Sequence, residues 1–204
     1  MLSTRRNLLT VVAGGAMLQS IGAVSPARAA DESAQTERSV GSPDAKVVVQ
    51  EFFSLTCSHC AAFAATTYPV VKSALIDTGK IRWVFQDYPL DQVALQAAQV
   101  ARYLPPDRYA AFVDALLATQ DRWAFARDVN RTEEIWKTAG LAGMNRATFD
   151  KAIADDGLKT WIIRQQQAFT DKWKIDSTPS FVIDGKKHVG EMNFDAFRKL
   201  VPGA

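Results

Sequence analysis

The sequence predicts an α/β fold in which a βαβ half and a ββα half are separated by a helical insertion. Three stretches predict it. "KVVVQEFF" (46–53) is β-branched and almost continuously apolar, the pattern of a central strand buried on both faces. An alanine-rich helical stretch and then "IRWVFQ" (81–86) follow at βαβ spacing, for which a right-handed parallel crossover is expected. Near the other end, "SFVI" and "KKHVG" flank Asp184-Gly185, a hairpin turn signal. The chain has 204 residues, 48% hydrophobic and 23% charged, with five tryptophans, enough for one core plus an insertion.

In order along the chain, residues 30–45 are polar and without pattern and predict a short flexible arm. The first α/β half spans 46–90. Its helix runs from about Ser58 to Asp77, kinked by Tyr68-Pro69, and the turn Thr78-Gly79-Lys80 leads into the second strand. Residues 91–155 change to short helices divided by breakers. Tyr109, Phe112, Val113, Leu116 and Leu117 share one helical face, Pro105-Pro106 precede that helix, and Gly140 and Gly143 mark the next turn. Asn145 is placed to cap a helix carrying Phe149 and Ile153. These aromatics predict a helical core rather than a cofactor box. The second half, 156–204, opens with a helix over 156–173 that turns Leu158, Trp161, Ile162 and Phe169 to one side. Asn193 should cap the last helix, built on Phe194, Phe197 and Leu200.

Charge separates the amino-terminal stretch from the rest. Residues 1–29 hold Arg5, Arg6 and Arg28 and no acid; against an overall +2, residues 30–204 carry −1. A nucleic-acid surface is not indicated. Arg5-Arg6, the apolar run from Leu8 to about Val24, and Ala27-Arg28-Ala29 form a signal-peptide pattern with cleavage near Ala29. Gly14, Gly15, Gln19, Ser20 and Gly22 interrupt that run and weaken a membrane-anchor reading. "TRRNLL" also resembles a twin-arginine signal. The expected location is the periplasm, where disulfides persist.

Two cysteines occur in the whole chain, Cys57 and Cys60, with Ser58 and His59 between them. A structural staple is a poor use of the pair, because a disulfide stabilises less when it closes a short loop. Zinc sites want four Cys or His ligands, and the other histidine, His188, is distant in sequence and is expected to be a strand-edge residue without a role. A reactive pair fits better. Cys57 falls where strand meets helix, and a helix N-terminus favours thiolate over thiol. One helical turn separates the pair, roughly 5–6 Å between Cα atoms, within disulfide range. Cys57 is expected to be exposed and reactive and Cys60 more buried and resolving, with His59 stabilising the Cys57 thiolate. A stabilised reduced form makes the disulfide a stronger oxidant, about 30 mV for each 1.4 kcal/mol.

"GSPDAKVVVQEFFSLTCSHC", "VFQDYPL" and "STPSFVIDG", in that order and at these distances, resemble the DsbA-like branch of thioredoxin-fold oxidoreductases over roughly residues 41–200. The resemblance implies a thioredoxin fold with an inserted helical domain, acting as a monomeric periplasmic thiol–disulfide oxidant. It needs no cofactor beyond the Cys57–Cys60 disulfide. Its implied partners are thiol-containing exported proteins and a membrane reoxidant of the DsbB type. Pro179 after Thr178 matches the family's cis-proline, which would leave Thr178 backbone groups to pair with an extended substrate. Glu51 matches a buried acid beneath the pair, able to take or relay the proton of Cys60; the other reading of Gln50-Glu51 is a solvated strand end. Two positions depart from DsbA proper: Ser58 stands where proline is common, and Thr178 where valine is common. Oxidising strength is therefore open, and a periplasmic reductase or isomerase and a copper-binding module remain the alternatives.

Overall fold

The computed structural model describes residues 33–204, so the signal pattern of residues 1–29 lies outside the described residues. A five-stranded mixed sheet forms the frame, ordered β1-β3-β2-β4-β5. Its strands are β1 (Arg38–Val40), β2 (Val47–Phe53), β3 (Ile81–Asp87), β4 (Ser180–Ile183) and β5 (Lys186–Val189). Only β2 and β3 run parallel, from Val47 opposite Ile81 to Phe53 opposite Asp87. β4 lies antiparallel to β2, and β5 antiparallel to β4. Asp184 and Gly185 turn that hairpin with φ of 50° and 73°, the two left-handed residues a tight hairpin wants. His188 sits on β5 opposite Phe181, at the sheet edge as expected.

The expected long first helix is broken into α1 (Ser58–Thr66), α2 (Tyr68–Val71) and a π-helical turn over Lys72–Ile76. Pro69 lies at the start of α2, where its missing N–H costs nothing. The insertion comprises α3 (Gln92–Tyr103), α4 (Pro106–Ala118), α5 (Gln120–Trp123), α6 (Arg131–Leu141) and α7 (Arg146–Ala154). After it come α8 (Asp156–Trp173) and, beyond the hairpin, α9 (Phe194–Arg198). Asn145 and Asn193 cap α7 and α9 by accepting from Thr148 N and Ala196 N, each at 2.9 Å. Asp91, Asn130 and Asp155 cap α3, α6 and α8 in the same way.

Strand alternation sends the two faces of β2 into different cores. Val49 and Phe53 join Phe63, Trp83, Phe85, Phe181 and Phe197 under α1 and α9. Phe63 packs 4.8 Å from Phe181 and 6.1 Å from Trp83, ring centroid to centroid. Phe52 takes the opposite face with Tyr88, Ile175 and Val182, and Phe169 of α8 meets it edge-on at 5.1 Å. The predicted face of α4, Tyr109 to Leu117, is buried throughout.

Residues 38–40 correct the arm expected over 30–45. They pair with β3 as an antiparallel edge strand, Arg38 opposite Phe85. The reason is a buried polar cluster that no period reveals. Arg38, 1% exposed, donates to the carbonyls of Ser33 (3.0 Å) and Arg102 (2.8 Å). Arg102 in turn donates to the carbonyls of Ala34 and Thr36, each at 3.1 Å, and its Nε binds Asp87. Asp87 also accepts from Tyr109 OH at 2.8 Å, and the Arg102 guanidinium lies 4.6 Å from the Trp161 ring. The amino-terminal segment is thus tied to both sheet and insertion.

Candidate active site

β2 ends at Phe53, and a three-residue loop delivers Cys57 to the N-cap of α1 with an extended backbone, φ −85° and ψ 118°. The Cys57 N–H closes the loop onto Ser54 O at 3.1 Å, and its carbonyl starts the helix by accepting from Ala61 N at 3.1 Å. Both cysteines are free thiols. Cys60 is completely buried; Cys57, expected to be exposed, is 8% accessible. The cover over Cys57 comes from the loop before β4, whose Thr178-Pro179 bond is cis as expected. Cys57 Sγ donates to Thr178 O at 3.3 Å. The thiol form therefore occupies that carbonyl, and ionisation of Cys57 releases it. Thr178 Oγ1 is buried without a partner in hydrogen-bond geometry, so it is available to the sulfur once that sulfur is ionised.

The pair is electrostatically split. Cys57 is drawn down to about 5, chiefly by a hydrogen bond from the Cys60 thiol. Burial opposes this, while the Thr178 side chain and the N–H groups of Cys60 and His59 assist. Cys60 is pushed far above the ordinary thiol range, first by burial, then by its bond to Cys57. At neutral pH the stable arrangement is a thiolate at Cys57 held by a thiol at Cys60.

His59 reaches Cys57 through its backbone. Its imidazole is 69% exposed and lies toward Glu191, Nδ1 to Oε1 3.5 Å. What reaches Cys57 from this residue is the main-chain N–H. Glu51 is where the sequence placed it. It is 6% exposed on the aromatic face of β2, between Phe85 and Phe181 of the neighbouring strands. The solvated-strand-end reading does not hold. Burial raises its carboxyl to about 8, against the 3.0 Å bond from Trp83 Nε1 to its Oε2. A negative charge there disfavours the Cys60 thiolate, so the two groups are coupled.

Two residues at the site carry no sequence signal. Gln120, 3% exposed at the start of α5, donates from Nε2 to the carbonyls of Leu55 (2.8 Å) and Cys57 (3.0 Å). The insertion thereby grips the loop that carries Cys57. Trp83 looked like an ordinary strand residue, yet its indole donates the 3.0 Å hydrogen bond that Glu51 accepts. No group of three or more His, Cys, Asp or Glu side chains gathers as a metal site among the described residues, and no described helix is long and apolar enough to cross a membrane.

Comparison with known proteins is consistent over most of the chain. The family model described as Thioredoxin matches residues 33–202. A Rickettsia bellii protein that carries the name protein-disulfide oxidoreductase is 32% identical over 148 residues, covering 72% of this chain and 56% of that protein. The chain thus spans little more than half the length of this relative. Disulfide bond formation protein D of Bacillus anthracis, so named as a probable one, is 24% identical over 177 residues, 81% of this chain and 77% of its own length. Among solved structures, α-DsbA1 of Wolbachia pipientis superposes with a TM-score of 0.75 at 28% identity, covering 81% of this chain and 88% of that one. Oxidised BdbD of Bacillus subtilis shares the fold, with a TM-score of 0.71 at 18% identity over 80% and 89% of the two chains.

Proposed function

This chain belongs to the thioredoxin family as a DsbA-like member, with a helical insertion in the fold, and on that premise we propose that it donates the Cys57–Cys60 disulfide to exported thiol proteins in the periplasm. One observation carries the direction of transfer: Cys57 is held near 5 by its hydrogen bonds, so the reduced pair is the stabilised one. A substrate thiolate attacks Cys57 Sγ, the Cys57–Cys60 bond breaks, and Cys60 leaves and takes a proton. A second substrate thiolate then attacks the substrate sulfur, the substrate disulfide forms, and Cys57 departs as a thiolate that needs no proton. Two electrons pass from substrate to enzyme. The Thr178-Pro179 loop is the substrate-binding edge, and reoxidation falls to a DsbB-type membrane partner. The protein acts as a monomer, with no cofactor besides its own disulfide.

Equilibration with glutathione buffers tests the direction. The pair should be reduced by buffers in which ordinary structural disulfides persist, and the reduced form should melt above the oxidised form. The reverse melting order would support the reductase or isomerase alternative, to which Thr178 before the cis-proline inclines. Tight stoichiometric copper binding without oxidation of a reduced test protein would support a metal-binding module instead. Cys57→Ser should abolish turnover, whereas Cys60→Ala should accumulate mixed disulfides at Cys57.

A further inference from the structure

Cys60 has no solvent contact, so any proton it gains or loses crosses protein. Glu51 is the acid coupled to it, but Glu51 is itself enclosed and needs its own route outward. Two cavities supply that route. The inner one, about 10 Å³, lies between Glu51, Phe63, Tyr68, Phe85 and Asp114 and has room for about one water molecule. The outer one, about 330 Å³, is a cleft lined by Ala61, Ala64, Tyr68, Lys72 and Asp114. Ala64, Tyr68 and Asp114 line both, and Asp114 is the one carboxylate at the junction.

We propose that Asp114, supplied by α4 of the helical insertion, passes protons between Glu51 and solvent through a single bridging water. The proposal rests on Glu51 serving as the acid beneath the cysteines. In the donating direction, Cys60 leaves as a thiolate and takes the Glu51 proton, and Glu51 is reprotonated from Asp114. Of the two substrate protons, one is thereby balanced by that on Cys60 and the other is left in solvent. In the reverse direction, ionised Asp114 accepts the Glu51 proton, and Glu51 then deprotonates Cys60 for its attack on a mixed disulfide at Cys57.

The surroundings suit this traffic. Partial burial lifts Asp114 to about 6, with Lys72 opposing, which places it between solvent and Glu51. Lys72 is engaged by Asp77, its Nζ 2.7 and 2.9 Å from the two carboxylate oxygens. Tyr68, held above the ordinary phenol value by burial, stays a neutral wall of both cavities. Asp114 touches neither sulfur and acts only through Glu51, as a positioning residue for the proton.

The reduced protein, mixed with an aromatic disulfide reagent that releases a coloured thiolate, separates the steps. Cys57 attack releases the first thiolate; Cys60, once deprotonated, attacks Cys57 and releases the second. Asp114→Asn should leave the first phase unchanged and slow the second about a hundredfold, at the modest end of general acid–base effects. Asp114→Glu should restore it. In Asp114→Ala, formate should accelerate the second phase in proportion to its concentration, because a small acid can enter the cleft. An unchanged second phase in Asp114→Asn overturns the role of Asp114. A slowed phase that formate does not rescue also overturns it, since a packing defect has no such dependence. An unchanged second phase in Glu51→Gln removes the underlying reading of Glu51 as well.

Discussion

Lowering the pH of the reduced protein should cost it a stability that the oxidised protein never had. Cys57 ionises near 5 in the fold and near 8.5 in an unfolded chain. A depressed pKa stabilises the fold above the unfolded value, and that stability is lost as pH falls through the folded value. Between pH 5 and 7 the interval is two units, about 2.7 kcal/mol at 1.36 kcal/mol per unit. Partial solvent contact of the sulfur screens its hydrogen bonds and trims this to about 2 kcal/mol. Cys60, with its pKa raised, has the opposite sign: its share is lost above about 8.5, so the window closes there. Urea unfolding of reduced and oxidised protein at pH 5, 6, 7 and 8 measures the difference, and the pH-independent cross-link term cancels between pH values. The gap should widen in favour of the reduced form by about 2 kcal/mol from pH 5 to 7, equivalent to about 40 mV of oxidising potential. Rapid alkylation of Cys57 should show a midpoint near 5 in parallel. A gap that does not change over this range, with an alkylation midpoint near 8.5, would refute the account of Cys57.

Three other perturbations follow from buried groups. Glu51 has a raised pKa, so its contribution is complete below about 4.3 and is lost as pH rises toward 8; Glu51→Gln should therefore stabilise the protein by about 2–3 kcal/mol at pH 7 and by almost nothing at pH 4, measured by urea unfolding. Arg102→Leu leaves the Asp87 carboxylate buried without its cation and should lose about 3–5 kcal/mol, seen as a lower urea midpoint. Gln120→Ala leaves the Leu55 carbonyl unpaired and the Cys57 carbonyl with Ala61 N alone; a loss of about 1–3 kcal/mol is expected, together with a slower reaction of Cys57 with alkylating agents.

Legibility in the sequence followed the range of the interactions. The β2–α1–β3 unit, the Asp184-Gly185 hairpin and the Asn145 and Asn193 caps depend on neighbours a few residues away, and each formed where its pattern indicated. The split of the cysteine pair was legible for the same reason, because the N-cap position of Cys57 and the Cys60 thiol that chiefly lowers it, three residues on, are local. β1 was not legible: three residues give no period, and Arg38 is buried by carbonyls up to 64 residues away. The cover over Cys57 was missed because it comes from Thr178, 121 residues on. The contact of the His59 imidazole with Glu191 was not legible, because the two residues are far apart in sequence.

The insertion shows where this limit bears on function. As a sequence it was a set of short amphipathic helices, fully accounted for by their apolar faces. Yet Gln120 crosses 63 residues to hold the Cys57 carbonyl, and Asp114 reaches the cavity that adjoins Glu51. Both are polar residues on helices whose packing would be satisfied without them, so neither hydrophobic period nor spacing marks them. A βαβ–ββα frame alone would place the thiolate on its helix but leave Leu55 O and Cys57 O without their shared donor and Glu51 without a carboxylate on its path to solvent. The helical insertion therefore belongs to the surroundings of the cysteine pair as well as to the core. Its two polar contacts act at different steps: Gln120 on the position of Cys57, and Asp114 on the proton of Cys60.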